Sequence, residues 1–334
     1  MERLINNTMN NLKKLLKGDK VSIAQTITAV ENDTDTKILE RIFPHTGRAY
    51  HIGITGPPGA GKSTLVNAIA KKLLEKNKKI GIIAVDPTSP FSGGALLGDR
   101  IRMNDLALKE NVFIRSMASR GSLGGLAQKT KDVALVLDAA GMDYILIETI
   151  GVGQVELDIA QVCDTTIVVL VPESGDSIQA MKAGLLEIAD IMVVNKGDRE
   201  GSENLMMELK FAFELRPQKA GWHFPILKTI ATSNEGIDEL VTNIKSHKDY
   251  LIKSGSFEKT RKERLKLRTN ELIEERIKLH LHEYIIKEDK LQKIVDQIYR
   301  RKLNPYHFAD KIANKVIKPQ TYRKRTRKIP NKFQ

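Results

Sequence analysis

The chain has 334 residues, 41% of them hydrophobic and 28% charged, with a formal net charge of +13. That balance supports a packed core and excludes a collagen-like or wholly disordered chain. No run approaches the ~20 apolar residues of a membrane span, the N-terminus shows no apolar region with a cleavage site, and the single cysteine, Cys163, excludes an intramolecular disulfide and a paired-thiol metal site, so a cytoplasmic protein is expected.

In chain order, residues 1–47 read as an N-terminal helical cap. Apolar periodicity runs over 9–16 up to Gly18, over 21–31, and over 35–43 up to Pro44. From 48 to 250 the pattern becomes short β-rich runs at 51–55, 80–85, 144–147, 165–171, 191–194 and 225–230. Helix-period segments at 63–77, 125–140, 177–188 and 201–214 lie between them. The runs are continuously apolar rather than alternating, which predicts strands buried on both faces: a doubly wound, mostly parallel α/β sheet. Beyond 250 the strands stop and charged helices are predicted at 257–287, 289–302 and 306–316, the first with one apolar stripe suited to packing on another surface. The predicted organisation is thus 1–47, 48–250, 251–317, and a basic tail at 318–334 expected to be disordered. Residues 251–334 carry 24 Lys+Arg against 10 Asp+Glu, leaving 30 against 31 for the rest, so the whole excess charge belongs to one appendage.

The segment Gly56, Pro57, Pro58, Gly59, Ala60, Gly61, Lys62, Ser63, Thr64 follows a predicted strand and opens a predicted helix, the context in which G-x-x-x-x-G-K-S makes a phosphate site. Backbone N–H groups turn around the phosphates, Lys62 reaches the β and γ phosphates, and Ser63 ligates Mg²⁺. Asn195-Lys196-Gly197-Asp198 follows the run at 191–194. A carboxylate at Asp198 accepts from both N1–H and the exocyclic amine of guanine, a donor pattern adenine lacks, and the end of a parallel strand is where ligands bind. Thr232, Ser233 and Asn234 follow the next strand and are placed to reach the base through backbone N–H groups. Glu148, Thr149, Ile150 and Gly151 end another run, where a nucleotide hydrolase carries its acidic Mg²⁺-side residue and γ-phosphate-sensing glycine. Asp86, with the glycine-rich stretch through Asp99, has the composition of a switch loop whose carboxylates can meet Mg²⁺ or its waters.

These residues resemble the MeaB/ArgK/MMAA family of SIMIBI-class P-loop GTPases, the chaperones of adenosylcobalamin-dependent methylmalonyl-CoA mutase. The likeness rests on GPPGAGKST (56–64), DPTSPFSGGALLGDRIRM (86–103), ETIGVGQVE (148–156), VPESGDSIQAMKAGLLEIAD (171–190) and NKGD (195–198). It implies a phosphate and Mg²⁺ side formed by Lys62, Ser63, Asp86, Asp99 and Glu148, guanine selection by Asp198, and a third switch at 174–182 from which Lys182 reaches a neighbouring subunit's nucleotide. It also implies a homodimer joined by C-terminal helices that gates cobalamin delivery to the mutase and protects it. Val155, Glu173 and the basic end at 323–328 depart from the family pattern.

The chemistry expected is in-line attack of water on the γ-phosphoryl of GTP, with Gln154 as the candidate water-positioning residue and acceleration by a partner. Three other readings compete. A metal-delivering GTPase needs a Cys/His ligand set, whereas His280 and His282 are the nearest pair here and lie two apart on a helix. An RNA-associated GTPase could use the basic tail, but Tyr306, Phe308 and Tyr322 are isolated aromatics. A kinase or ATPase linked to amino-acid transport is disfavoured by the guanine pattern at 195–198.

Overall fold

The computed structural model describes residues 10–35, 37–86, 103–118, 125–149, 158–174, 184–214, 221–285 and 288–317. Seven strands, β1 (Tyr50–Thr55), β2 (Ile80–Asp86), β3 (Val112–Ala118), β4 (Tyr144–Glu148), β5 (Thr165–Leu170), β6 (Ile191–Val194) and β7 (Ile226–Lys228), form one sheet in the order β3-β2-β4-β1-β5-β6-β7. Every pairing is parallel. Parallel strands need helical crossovers on both faces, and the sequence supplies them. β5 is buried at all six positions.

Alternate side chains of the strands feed different layers. Ile52, Ile54, Ile167 and Val169 pack with helices α3 (Lys62–Glu75) and α6 (Ile237–Lys253), which bring Leu65, Ile69, Leu240 and Ile244. Ile83, Ile145 and Ile147 face the other side, against α1 (Lys20–Glu31), α2 (Ile38–Ile42) and α4 (Gly125–Ala139). Helix α5 (Ser202–Glu214) covers Val168, Leu170, Met192 and Val194 through Leu205, Leu209 and Phe213. The N-terminal helices and the sheet belong to a single compact unit, Met1–Arg261. The cap therefore supplies a layer of the main core.

Two of the longer elements differ from the sequence reading. β3 is a strand the apolar pattern did not mark, because Arg115 and Ser116 interrupt it. It is an edge strand, where a polar side chain can point outward, and Arg115 ion-pairs with Glu31 at the end of α1. Lys20 adds a hydrogen bond from Nζ to the carbonyl of Lys109, 2.6 Å. Helix α6 was also not marked, although Ile237, Leu240, Val241 and Ile244 are buried at helical spacing.

The N-terminal ends of the central strands are fastened by buried polar groups. Asp138 accepts the backbone N–H groups of Gly47, Arg48 and Ala49 at 2.6, 3.1 and 3.0 Å. Asp164 accepts the amide of His51 at 3.0 Å and takes two bonds from Arg261, 3.0 and 2.5 Å. Arg261 also donates to the carbonyls of Gly47 and Ala49. Beside them, Tyr50 and Thr165 share a 2.5 Å hydroxyl bond, and Thr165 lies 2.8 Å from His247 Nδ1.

A second unit runs from Lys262 onward and comprises most of α7 (Ser256–Ile285), then α8 (Glu288–Tyr299) and α9 (Pro305–Ile317). Leu265, Leu267, Ile273 and Leu279 on α7 are each about half exposed or more. Among the described residues no helix is long and apolar enough to cross a membrane.

Candidate nucleotide-binding site

The sheet order places β1 between β4 and β5, while the chain reaches β2 from β1 and β6 from β5 on opposite sides. The crevice at the C-terminal ends of these strands is a topological switch point, where open α/β sheets bind ligands. Its walls are the loop from β1 into α3, the end of β4, and the loops after β6 and β7.

At the phosphate end, Gly61 caps α3 with φ +82, a left-handed conformation that favours glycine; a Cβ there would lie 2.4 Å from Asn195 Nδ2. Lys62, buried at the first position of α3, donates from Nζ to the carbonyls of Gly56 and Pro57 at 2.8 and 2.9 Å. The ammonium thus spans the concavity of its own loop. Anionic phosphate oxygens are better acceptors than these neutral carbonyls, and the N-terminus of α3 favours negative charge in the same place. Ser63 Oγ donates to Glu148 Oε1 at 2.6 Å. Both are buried, and β4 brings Glu148 level with Ile54 of β1. A hydroxyl and a carboxylate converging beside a phosphate loop are the hard oxygen donors that suit Mg²⁺. Thr149 secures the end of β4, its amide donating to the Ile54 carbonyl at 3.1 Å and its hydroxyl to Thr55 Oγ1 at 2.9 Å.

At the base end, Asn195 is a buried strut. Its Nδ2 donates to the carbonyl of Ala60 at 2.8 Å, and its Oδ1 accepts from Thr229 Oγ1 at 3.1 Å and the Ala231 amide at 3.2 Å. One carboxamide therefore ties the phosphate loop to the exits of β6 and β7. Lys196 follows with φ +56 and Asp198 stands exposed at the turn. The carbonyl of Gly197 accepts from Ser202 Oγ at 2.9 Å and its amide donates to the Thr229 carbonyl at 2.9 Å.

Thr232, Ser233 and Asn234 sit in the turn after β7. The Ser233 amide donates to Ile230 and its hydroxyl to Glu235. The residue of this turn that meets Asn195 is Ala231, which the motif reading passed over. Gly56, Pro57, Pro58, Gly59, Ala60 and Thr64 all lie in the β1–α3 connection or the first turn of α3. Asp86 ends β2, paired with Ala118. Asp99, Gly151, Gln154 and Lys182 lie outside the described residues.

The sequence model for the family described as methylmalonyl Co-A mutase-associated GTPase MeaB matches residues 23–284. A putative GTPase of Pyrococcus abyssi is 46% identical over 318 residues, covering 92% of this chain and 96% of its own. The methylmalonic aciduria type A homolog, mitochondrial, of Mus musculus is 31% identical over 316 residues, covering 89% and 76%. A crystal structure described as a LAO/AO transport system kinase superposes with a TM-score of 0.69 at 28% identity, covering 92% of this chain and 97% of that one.

Proposed function

The chain belongs to the MeaB family of methylmalonyl-CoA mutase-associated GTPases, and from that premise we propose that it hydrolyses GTP as a chaperone which gates cobalamin loading into, and protects, an adenosylcobalamin-dependent acyl-CoA mutase. The observation that carries the nucleotide part is the Asn195 strut. It fixes the loop bearing Asp198 to the loop bearing Lys62, so a purine and a polyphosphate joined in one molecule satisfy both ends at once.

The chain's own groups perform the chemistry as follows. On arrival of GTP, the Lys62 ammonium exchanges the carbonyls of Gly56 and Pro57 for β and γ phosphate oxygens. The N–H groups at the start of α3 stabilise charge that spreads over the transferred phosphoryl. Ser63 and Glu148, which share a hydrogen bond beside the phosphate loop, would hold a magnesium ion together with Asp86 and Asp99. When bound, that ion neutralises phosphate charge. Asp198 accepts two hydrogen bonds from the guanine edge.

The client reading rests on family membership and on the mouse relative whose name refers to methylmalonic aciduria. The exposed apolar residues of α7 support pairing with a second copy. The test is GTP turnover alone and with a purified adenosylcobalamin-dependent acyl-CoA mutase. Acceleration that requires the mutase, together with co-purification in the presence of a non-hydrolysable GTP analogue, is expected. Equal rates and no co-purification would overturn the chaperone role while leaving the GTPase intact.

A further inference from the structure

The loop Asn195–Asp198 is clamped from outside by side chains that no motif marks. Lys228, the last residue of β7, lays its methylene stem across Gly197. A Cβ at Gly197 would lie 2.6 Å from Lys228 Cγ, 2.8 Å from Cε and 3.2 Å from Cδ. The ammonium at the end of that stem is held by Glu203 in the first turn of α5, Nζ to Oε1 2.5 Å. Glu203 keeps its carboxyl below the ordinary range, first through this hydrogen bond and then through the charge of Lys228. On the other flank Arg199 ion-pairs with Glu173, which follows β5, and Pro172 Cβ lies 3.7 Å from a Cβ built on Gly201. Strands on both sides of β6 thus grip the loop that carries Asp198.

These pairs are exposed: Lys228 and Glu203 side chains are 40% and 72% accessible. Such pairs add little to global stability. Their position is the informative part. Gly197 lies between the strut, Asn195, and the base-reading carboxylate, Asp198. Its amide and carbonyl are both engaged, and the remaining face is the one the Lys228 stem covers. Lys196, next to this glycine, sits at φ +56, a conformation that persists only where its surroundings hold it, and the Lys228 stem occupies the space into which Gly197 would move.

We propose that Lys228, anchored by Glu203, is a positioning residue for guanine selection: it holds Gly197 so that the Asp198 carboxylate meets N1–H and the 2-amino group together. This rests on the reading of Asp198 as the guanine-binding residue. Its consequence is confined to the base, because the phosphate contacts of Lys62 arise on the opposite side of the Asn195 strut.

The test is the ratio of affinities for GDP and IDP, which lacks the 2-amino group, measured by calorimetry with magnesium present, alongside melting temperature. The native chain prefers GDP by about tenfold or more, the worth of one hydrogen bond to a charged group. Lys228→Ala lowers that preference roughly three- to tenfold by weakening GDP more than IDP, and Lys228→Arg, which keeps stem and charge, restores most of it. Glu203→Gln, which keeps the stem and an acceptor oxygen but removes the charge of its anchor, gives a smaller loss and serves if Lys228→Ala does not fold. A preference within twofold of native in both Lys228→Ala and Glu203→Gln would overturn the proposal, as would a Lys228→Arg chain as impaired as Lys228→Ala. Asp198→Ala is the separating control. If it abolishes the preference while the Lys228 variants keep it, only the positioning role fails; if it too keeps the preference, the reading of Asp198 fails first.

Discussion

The two ends of the same central strands are built on opposite plans. At the N-terminal end, β1 enters the sheet among groups already satisfied by one another: Asp138 holds three amides, and Asp164 holds Arg261 and the His51 amide. At the C-terminal end, the partners are provisional. Lys62 is held by carbonyls of its own loop, Ser63 by Glu148, and Asp198 projects exposed. In the first arrangement both carboxylates already hold their partners. The second gives Lys62 neutral partners that a nucleotide can displace and leaves Asp198 exposed. Stability and function are therefore expected to separate along the length of a single strand.

The largest effect that could break this separation lies at the phosphate end. Lys62→Ala should lower GTP turnover by about 10² to 10³-fold, the cost of removing a charge-stabilising donor, with little change in thermal midpoint. A comparable loss of folding would show that Lys62 is structural. Next, Asp164→Ala should destabilise the fold by about 3 kcal/mol, because it leaves the Arg261 guanidinium without its carboxylate, while GDP affinity in the folded fraction stays within about twofold of native. Loss of nucleotide binding before unfolding would join the two ends that the comparison divides.

A pH titration sharpens the same contrast. Burial is the main cause lowering the pKa of His51 below its ordinary value of 6.5; the Asp164 charge opposes this and Arg261 adds to it. The unfolded chain therefore takes up a proton that the folded chain resists. Stability from the neutral imidazole is present above pH 6.5 and is lost as pH falls below it. For Asp164, burial raises the pKa, but hydrogen bonds from Arg261 and the nearby positive charges outweigh it. Its carboxyl sits below 3.8, and its contribution is lost only in stronger acid. His51→Leu should flatten the first part of the acid limb in chemical denaturation and leave the second. The smallest effect belongs to the exposed flank of the base loop: Arg199→Ala should change stability by roughly 0–1 kcal/mol, measurable as a slight shift in denaturation midpoint.

What the sequence discloses follows the same division. The phosphate loop and the strands at 51–55, 144–147 and 191–194 are legible because their signals are local: a glycine spacing fixed by backbone approach, and apolar runs fixed by burial on both faces. β3 is not legible, since Arg115 breaks its apolar run and is explained by Glu31, 84 positions away, and by Thr28 of the same helix α1. Arg261 reads as one more charge on a polar helix until the fold brings it to Asp164. In the site, the motif names Asn195 as a base-side residue, whereas its buried position makes it the strut between loops. Lys228 and Glu203 belong to no motif. Their significance depends on a contact between the ends of β7 and α5 that neither segment specifies alone.

The mooring of α1 to the outer strand has a bearing on how the sheet avoids edge-to-edge pairing with another molecule. An all-parallel sheet ends in two edges, each a row of backbone donors and acceptors that another molecule's strand can zip onto. At one edge β7 is only three residues long, too short a template. At the other, β3 offers seven, but Arg115 ropes it to Glu31 at the end of α1. Residues 20–31 are thus a guard against aggregation as much as a layer of the core. Cutting the chain back to residue 48 should yield protein that gathers into soluble aggregates on size exclusion, even where the nucleotide loops are intact.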